Sequence, residues 1–368
     1  GVFIDNTGIN LGGCYCGFCR EGFKEFSRER FGEAHPLPTV QDWTDPLWQA
    51  FIEFRYLTHY RGLMRFSHYL HTLKEDLVVA VNTSHNLPGG PPGSEKACYV
   101  PNSGDYQGLL TSEDNRSPGI EAGRIRTRIN HYKVLAAAAR GRPVAIFGYP
   151  KDYKNPTPDG LELAIAEALA HNAALIEPWR IMYSNFFNSP TLKETVRRLN
   201  SFHQRNEEYY VDVQTRAQVA VIHSINTIGG WYKHKSGSSA SEEGPSGEDD
   251  FTRPWSFVGY TQALLESHIP YDVVLAEGLM LDQLSGYDCL ILPNIACMDD
   301  DLVETVKAFV RQGGNVIATY ETSLYDGYGQ KRDDFGLREL FDPEQKEPPE
   351  GFAVQNYGEG KTLSLIHI

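Results

Sequence analysis

The sequence predicts an α/β protein of two successive units, the first a (β/α)-barrel type and the second a doubly wound, flavodoxin-like (class I amidotransferase-like) domain. Three observations predict it. Short apolar, β-rich runs recur with helical segments between them. Those runs lack polar alternation, as strands buried on both faces of a parallel sheet do. Polar and acidic residues gather just after the runs, where a barrel of this type keeps its active site.

In order, the first unit shows strands near 2–5, 77–83, 108–112, 143–149 and 173–177. A helix follows the cysteine cluster and ends near Gly32. A second opens at Asp45-Pro46, an N-cap followed by Pro at the first helical position, and runs to about Leu73. A third spans about 120–140 and is closed by Gly141, and a fourth covers 160–171. Five strands with intervening helices imply a barrel or an open α/β sheet. Ser189-Pro190 opens a helix to about Tyr209 that reads as a connector. The second unit has strands near 217–223, 271–275, 287–292 and 315–320, with helices at 255–268 and 299–312, the latter closed by Gly313-Gly314. This is the flavodoxin pattern, and no Gly-rich phosphate loop follows its first strand. The stretch 233–250, rich in Ser, Gly and Glu, reads as a mobile insertion. The expected boundaries are 1–185 for the barrel-type domain, 186–212 for the connecting helix and 213–368 for the flavodoxin-like domain.

With 368 residues the chain has room for two domains. A net charge of −14 argues against nucleic acid, which needs a basic face, and no apolar run reaches the roughly 18 residues of a membrane span. Both ends read as cut: residues 1–4 look like the middle of a strand, and the chain stops inside the apolar run 363–368. Localisation stays open, with reduced thiols leaning toward the cytoplasm.

Two constellations carry chemistry. Cys14, Cys16 and Cys19 place three thiols within six residues, a tetrahedral zinc set lacking one ligand. Cys98 or a residue outside the chain is the candidate fourth, and buried free thiols or a disulfide are the alternatives. Such a zinc is structural, because a closed thiolate site leaves no position for substrate. The second constellation is the strand-end carboxylates. Alternation puts Phe3 with Asp5 on one face, and Leu109, Thr111 and Glu113 on one face. Facing inward, Asp5 and Glu113 form the pair that glycoside hydrolysis needs, with Asp114 and Glu177 as further candidates. Asn6, Asn82, His85, Tyr149 and Trp179 are candidate sugar-binding groups. His131 and His171 lie in helical segments and read as packed or solvated rather than catalytic, and Cys289 and Cys297 read as core.

At this point the residues resemble a known family. Ile4-Asp5-Asn6, then Cys14-Tyr15-Cys16 and Cys19-Arg20, then Phe23, Phe26 and Phe31-Gly32, are similar to the fourth-strand region of family 42 glycoside hydrolases, the microbial β-galactosidases. Val81-Asn82 resembles that barrel's fifth strand. Residues 287–294 and 313–317 resemble the family's trimerisation domain. The resemblance implies the C-terminal part of a (β/α)8 TIM barrel, strands four to eight, with a structural zinc, no organic cofactor, a carbohydrate substrate and a homo-oligomer, a trimer being one form. It implies further that the chain by itself, with half a barrel, is unstable and inactive. The family's acid/base Glu position is Thr7 here, and the nucleophile's strand reads Ile146-Phe147-Gly148-Tyr149-Pro150. The chain therefore resembles more the looser relatives with an amylase-like barrel and a β-galactosidase trimerisation domain. In amylase-like and α-galactosidase-like barrels the nucleophile is an Asp ending strand four, here Asp5, and in α-galactosidase-like barrels the acid/base is a carboxylate ending strand six, here Glu113 or Asp114. The expected activity is hydrolysis of a galactoside or related oligosaccharide. The alternative is a non-catalytic carbohydrate-binding protein on a degenerate barrel.

Overall fold

A computed structural model of the chain describes residues 1–10, 13–42, 44–82, 97–114, 118–121, 123–148, 157–176, 189–211, 213–228, 255–341 and 353–365. By packing, residues 1–7, 64–87 and 100–216 form one compact unit, and residues 8–63, 88–99 and 217–368 form the other. Among the described residues no helix is long and apolar enough to cross a membrane. The insertion expected at 233–250 lies outside the described residues.

The first unit is built on a five-stranded sheet in the order β1-β2-β3-β6-β7, every pair parallel. Its strands are β1 (Val2–Ile4), β2 (Val79–Asn82), β3 (Leu109–Asp114), β6 (Val144–Gly148) and β7 (Ala173–Ile176). Each strand lies beside its predecessor in the chain, apart from a small ribbon of β4 (Gly119–Glu121) and β5 (Arg124–Arg126), as in a barrel and unlike a doubly wound sheet. The fold is a partial (β/α)8 barrel. The outer face carries Leu110 and Ile146, both fully buried, beneath α3 (Ile129–Ala139). Further round, α4 (Pro158–Ala170) packs on α5 (Pro190–Arg205) through Leu161, Ile165, Leu192 and Leu199. Ser189 caps α5 by accepting from the Leu192 N–H at 3.3 Å, with Pro190 in the first turn as the sequence indicates.

Two expectations need correction. The third helix begins at Ile129, not near 120. Gly119–Glu121 and Arg124–Arg126 form an antiparallel ribbon, β4–β5, whose turn needs Gly123 at φ 78°. The strand expected at 108–112 runs on to Asp114, so Glu113 is part of β3 and sits opposite Phe147 rather than beyond the strand end.

The second unit carries a six-stranded sheet, ordered β12-β13-β11-β10-β8-β9. Its members are β8 (Val219–His223), β9 (Tyr271–Leu275), β10 (Cys289–Leu292), β11 (Asn315–Thr319), β12 (Ala353–Tyr357) and β13 (Gly360–Leu365). Read from β8, the parallel strands follow the flavodoxin order 2-1-3-4-5, with β12 added antiparallel at the edge. Helices α6 (Trp255–Glu266) and α7 (Asp300–Arg311) complete this part. Asp299 caps α7 through the Leu302 N–H at 2.7 Å, and Gly313 at φ 101° ends it. The core joins Ile222, Leu290, Leu292 and Val316 of the sheet to Val306 and Val310 of α7. The same unit includes α1 (Gly17–Phe31) and the first half of α2 (Pro46–Leu73), zipped by Phe23, Trp48 and Phe51. At its far end Arg30 lies 3.6 Å from the Tyr328 ring centroid and Gln330 donates to Gln49 at 2.9 Å, so the hairpin belongs to this unit by contact.

Candidate active site

Register and alternation define the inner face of the barrel sheet. Ala80 pairs with Phe3 and Leu109, Asn82 with Thr111, Thr111 with Ala145, and Glu113 with Phe147, and paired residues share a face. Phe3 and Phe147 belong to β1 and β6, three places apart. In a flat sheet they would be about 14 Å apart at ~4.8 Å per strand, yet their ring centroids lie at 5.3 Å. The sheet therefore curls, and this face is its concave side.

Asp5 and Glu113 meet at the carboxyl end of that face. The Asn82 side-chain amide donates to Asp5 Oδ1 at 3.0 Å and to Glu113 Oε1 at 2.7 Å. Sharing one nitrogen bounds the separation of these two oxygens at about 5.7 Å, near the ~5–5.5 Å of retaining glycosidase pairs and short of the 6.5–9.5 Å of inverting ones. Asn6, in a left-handed conformation at φ 54°, turns back on Asp5: its backbone N–H donates to Oδ1 at 2.9 Å and its side chain to Oδ2 at 3.1 Å. Asp5 thus takes three N–H donors over its two oxygens. It is exposed, while Glu113 and Asn82 are half-buried.

Asp5, Asn6, Asn82 and Glu113 are brought together. Of the other sequence candidates, His85, Tyr149, Glu177 and Trp179 lie outside the described residues, and so does the side chain of Asp114, whose backbone ends β3. His131 is buried with its Nε2 3.1 Å from Ser112 Oγ under α3, and the half-buried His171 stacks on Tyr132. The two aromatic walls, Phe3 and Phe147, were half legible: alternation marks Phe3, but only the register sets Phe147 beside Glu113.

The three cysteines form a second centre in the other unit, at the start of α1. Their sulfurs lie within 4.8 Å of one another, and Cys98 is buried outside the group. The Cys19 backbone N–H and the Cys14 thiol pull the Cys16 thiol down to about 7. Burial and the neighbouring thiols push Cys19 up to about 12. Three thiols this close cannot all ionise unaided near neutral pH. A soft divalent cation is what lets them deprotonate together, so the donor set fits a metal.

In the second sheet, the donors that follow β8 are taken by the chain's own side chain. Glu277, just after β9, accepts from the Asn226 N–H at 2.9 Å and the Ser224 hydroxyl at 3.0 Å. Burial raises its carboxyl to about 7. A nucleotide phosphate brought to these donors would find them already occupied by the Glu277 carboxyl group.

Residues 217–341 match a known family, the β-galactosidase trimerisation domain. The fold of the whole chain is that of the β-galactosidases. It superposes on the β-galactosidase of Bacillus circulans sp. alkalophilus with a TM-score of 0.70 at 13% identity, covering 96% of this chain and 64% of that one. The β-galactosidase of Rahnella sp. R3 gives 0.71 at 14% identity, with the same coverage. A family 42 exo-carrageenase from Bacteroides ovatus gives 0.69 at 12% identity, covering 95% of this chain and 49% of that one. The chain thus spans less than two thirds of the length of the β-galactosidases it matches. No curated protein matches it by sequence. In this β-galactosidase-like fold, the five-stranded curled sheet is the barrel part and 217–341 the trimerisation-type part.

Proposed function

We propose that the chain is part of a retaining glycoside hydrolase acting on the O-glycosidic bond of a galactoside or related oligosaccharide. In this reading 1–185 is catalytic, 186–212 connects, and 213–368 serves homo-oligomer assembly, a trimer following from the domain it resembles. The observation that supports it best is the Asp5–Asn82–Glu113 bridge, because carboxylates held this close fit a nucleophile and an acid/base on one bond.

Asp5 attacks the anomeric carbon while Glu113, protonated, gives its proton to the leaving oxygen, and a glycosyl ester on Asp5 results. Glu113, now a carboxylate, takes a proton from water as that water attacks the same carbon, which frees Asp5 and restores the acid. Asn6, with two N–H bonds to Asp5, fixes the plane of the attacking carboxylate. Phe3 and Phe147 give the concave face an apolar floor. Asp114 and Glu177 are reserve carboxylates, and His85, Tyr149 and Trp179 are proposed sugar contacts. Zinc is the proposed occupant of the thiol centre, held by Cys14, Cys16 and Cys19, where it ties down the start of α1 and takes no part in the reaction.

One sequence feature favours a second reading, a sugar-binding scaffold without catalysis: Thr7 stands where family 42 enzymes carry the acid/base Glu. The two readings separate on a panel of nitrophenyl glycosides offered to the full-length protein. Hydrolysis of one glycoside is expected, with Asp5→Asn and Glu113→Gln each reducing kcat about 10²–10⁴-fold while the fold is kept. Binding of oligosaccharides with no turnover across the panel would leave the scaffold reading standing instead.

A further inference from the structure

We propose that Asn82 is a positioning residue: it holds the Asp5 and Glu113 carboxylates at their working separation by giving one amide N–H to each. The inference rests on the carboxylate pair proposed above.

A carboxamide has two N–H donors on one nitrogen and one carbonyl acceptor. Here both acids draw on the nitrogen, at 3.0 and 2.7 Å, while Oδ1 is buried with no partner among the described residues. Turning the amide over would set its carbonyl against two carboxylate oxygens, so the acids themselves dictate its orientation. A buried carbonyl without a donor is unfavourable. The site keeps it in that state, with the donors turned to the acids.

The backbone beneath is braced for this task. Strand β2 lies between β1 and β3, so Asn82 stands between the two acids laterally. The Val81 N–H donates to Gln107 Oε1 at 2.8 Å, and the Val81 carbonyl accepts from the Thr111 hydroxyl at 3.0 Å. The peptide leading into Asn82 is thereby held from both sides. The surrounding inner-face positions on β1, β2, β3 and β6 are Phe3, Ala80, Thr111, Ala145 and Phe147, none of them ionisable. Among the described residues, Asn82 is therefore the group that stands between the two acids. A dipole with its positive end toward both fixes their spacing, whichever of the two carries the charge.

A positioning role differs from a sugar contact in what its loss does. Without the two donors nothing among the described residues ties one acid to the other. Misplacing the pair lowers kcat, with KM little affected.

The test compares wild type with Asn82→Leu, which keeps the volume and removes the donors, in the full-length protein. It measures kcat and KM on the nitrophenyl glycoside that wild type hydrolyses. It also records the side-chain carboxyl ¹³C resonances of Asp5 and Glu113 in both proteins, assigned with Asp5→Asn and Glu113→Gln. Expected are a fall in kcat of about 100-fold, a KM within a few-fold of wild type, and both carboxyl resonances displaced as each acid loses its shared donor. A raised KM with kcat and resonances unchanged would overturn the proposal and make Asn82 a sugar contact. If wild type hydrolyses no glycoside, the hydrolase reading falls, and the carboxyl resonances still decide: displaced ones uphold the positioning role and unmoved ones overturn it. Should the Leu variant fail to fold, Asn82→Ala is read in the same way.

Discussion

Glu277 shows how much one side chain can weigh. Its carboxyl is raised from the ordinary 4.5 to about 7, chiefly by burial, despite its bonds to Asn226 and Ser224. The folded state therefore keeps a proton that the unfolded chain gives up above pH 4.5. Below that value the group is stability-neutral. As the pH rises from there through about 7 it subtracts stability, and above 7 the penalty stays constant, on the order of 3 kcal/mol. Glu277→Gln keeps an acceptor for the two donors and cannot ionise. It is expected to melt a few degrees higher than wild type at pH 8 and to lose that advantage toward pH 4.5. Melting curves of the two proteins at both pH values check this, and equal curves throughout would show that the carboxyl pays no burial cost.

Among the elements, two glycines with opposite surroundings make a paired test. A Cβ at Gly360, where β13 begins, would lie 2.1 Å from the Gly314 carbonyl oxygen and 2.6 Å from that of Val310, both backbone atoms that cannot swing aside. A Cβ at Gly259, inside α6, meets nothing within 4 Å. Gly360→Ala is expected to destabilise by about 1–3 kcal/mol, and Gly259→Ala to stabilise by roughly 0.5–1 kcal/mol through helix propensity. Denaturant unfolding gives both signs. At the start of α1 the proposed zinc predicts about one metal per chain by elemental analysis. Cys16→Ala is expected to lose most of it and to lower the melting temperature, because it removes a ligand at the N-cap of α1, which has no side-chain cap, without supplying the cap that a serine would. Full metal content in that variant would exclude the thiol centre as the site.

For the molecule as a whole, the two edges of the barrel sheet, β1 and β7, pair with no further strand among the described residues. Unpaired parallel edges are templates for association. The second sheet shields one edge with the antiparallel β12. The trimerisation-type match at 217–341 gives the assembly proposal its basis. The full-length protein is expected to run as a homo-oligomer when its mass is measured in solution across a dilution series. A monomer at every concentration would remove 213–368 from an assembly role.

Local chemistry made much of this legible from the residues. Helix ends at Gly32, Asp45-Pro46, Ser189-Pro190 and Gly313 are written in caps and glycines that act within a turn, and the structure has each of them. Strand alternation likewise put Asp5 on the face of Phe3, and Glu113 on that of Leu109 and Thr111, because period two needs no knowledge of neighbours. The β4–β5 ribbon escaped, since Gly123 can interrupt a helical reading only when its φ is known. So did the membership of α1 and half of α2 in the second unit, which depends on Arg30 meeting Tyr328 and Gln49 meeting Gln330 across nearly 300 residues of chain. The bridge by Asn82 and the burial of Glu277 belong to the same class. Each is a distance between groups far apart in sequence, and only sheet register and curvature, products of the whole packed chain, bring such groups together.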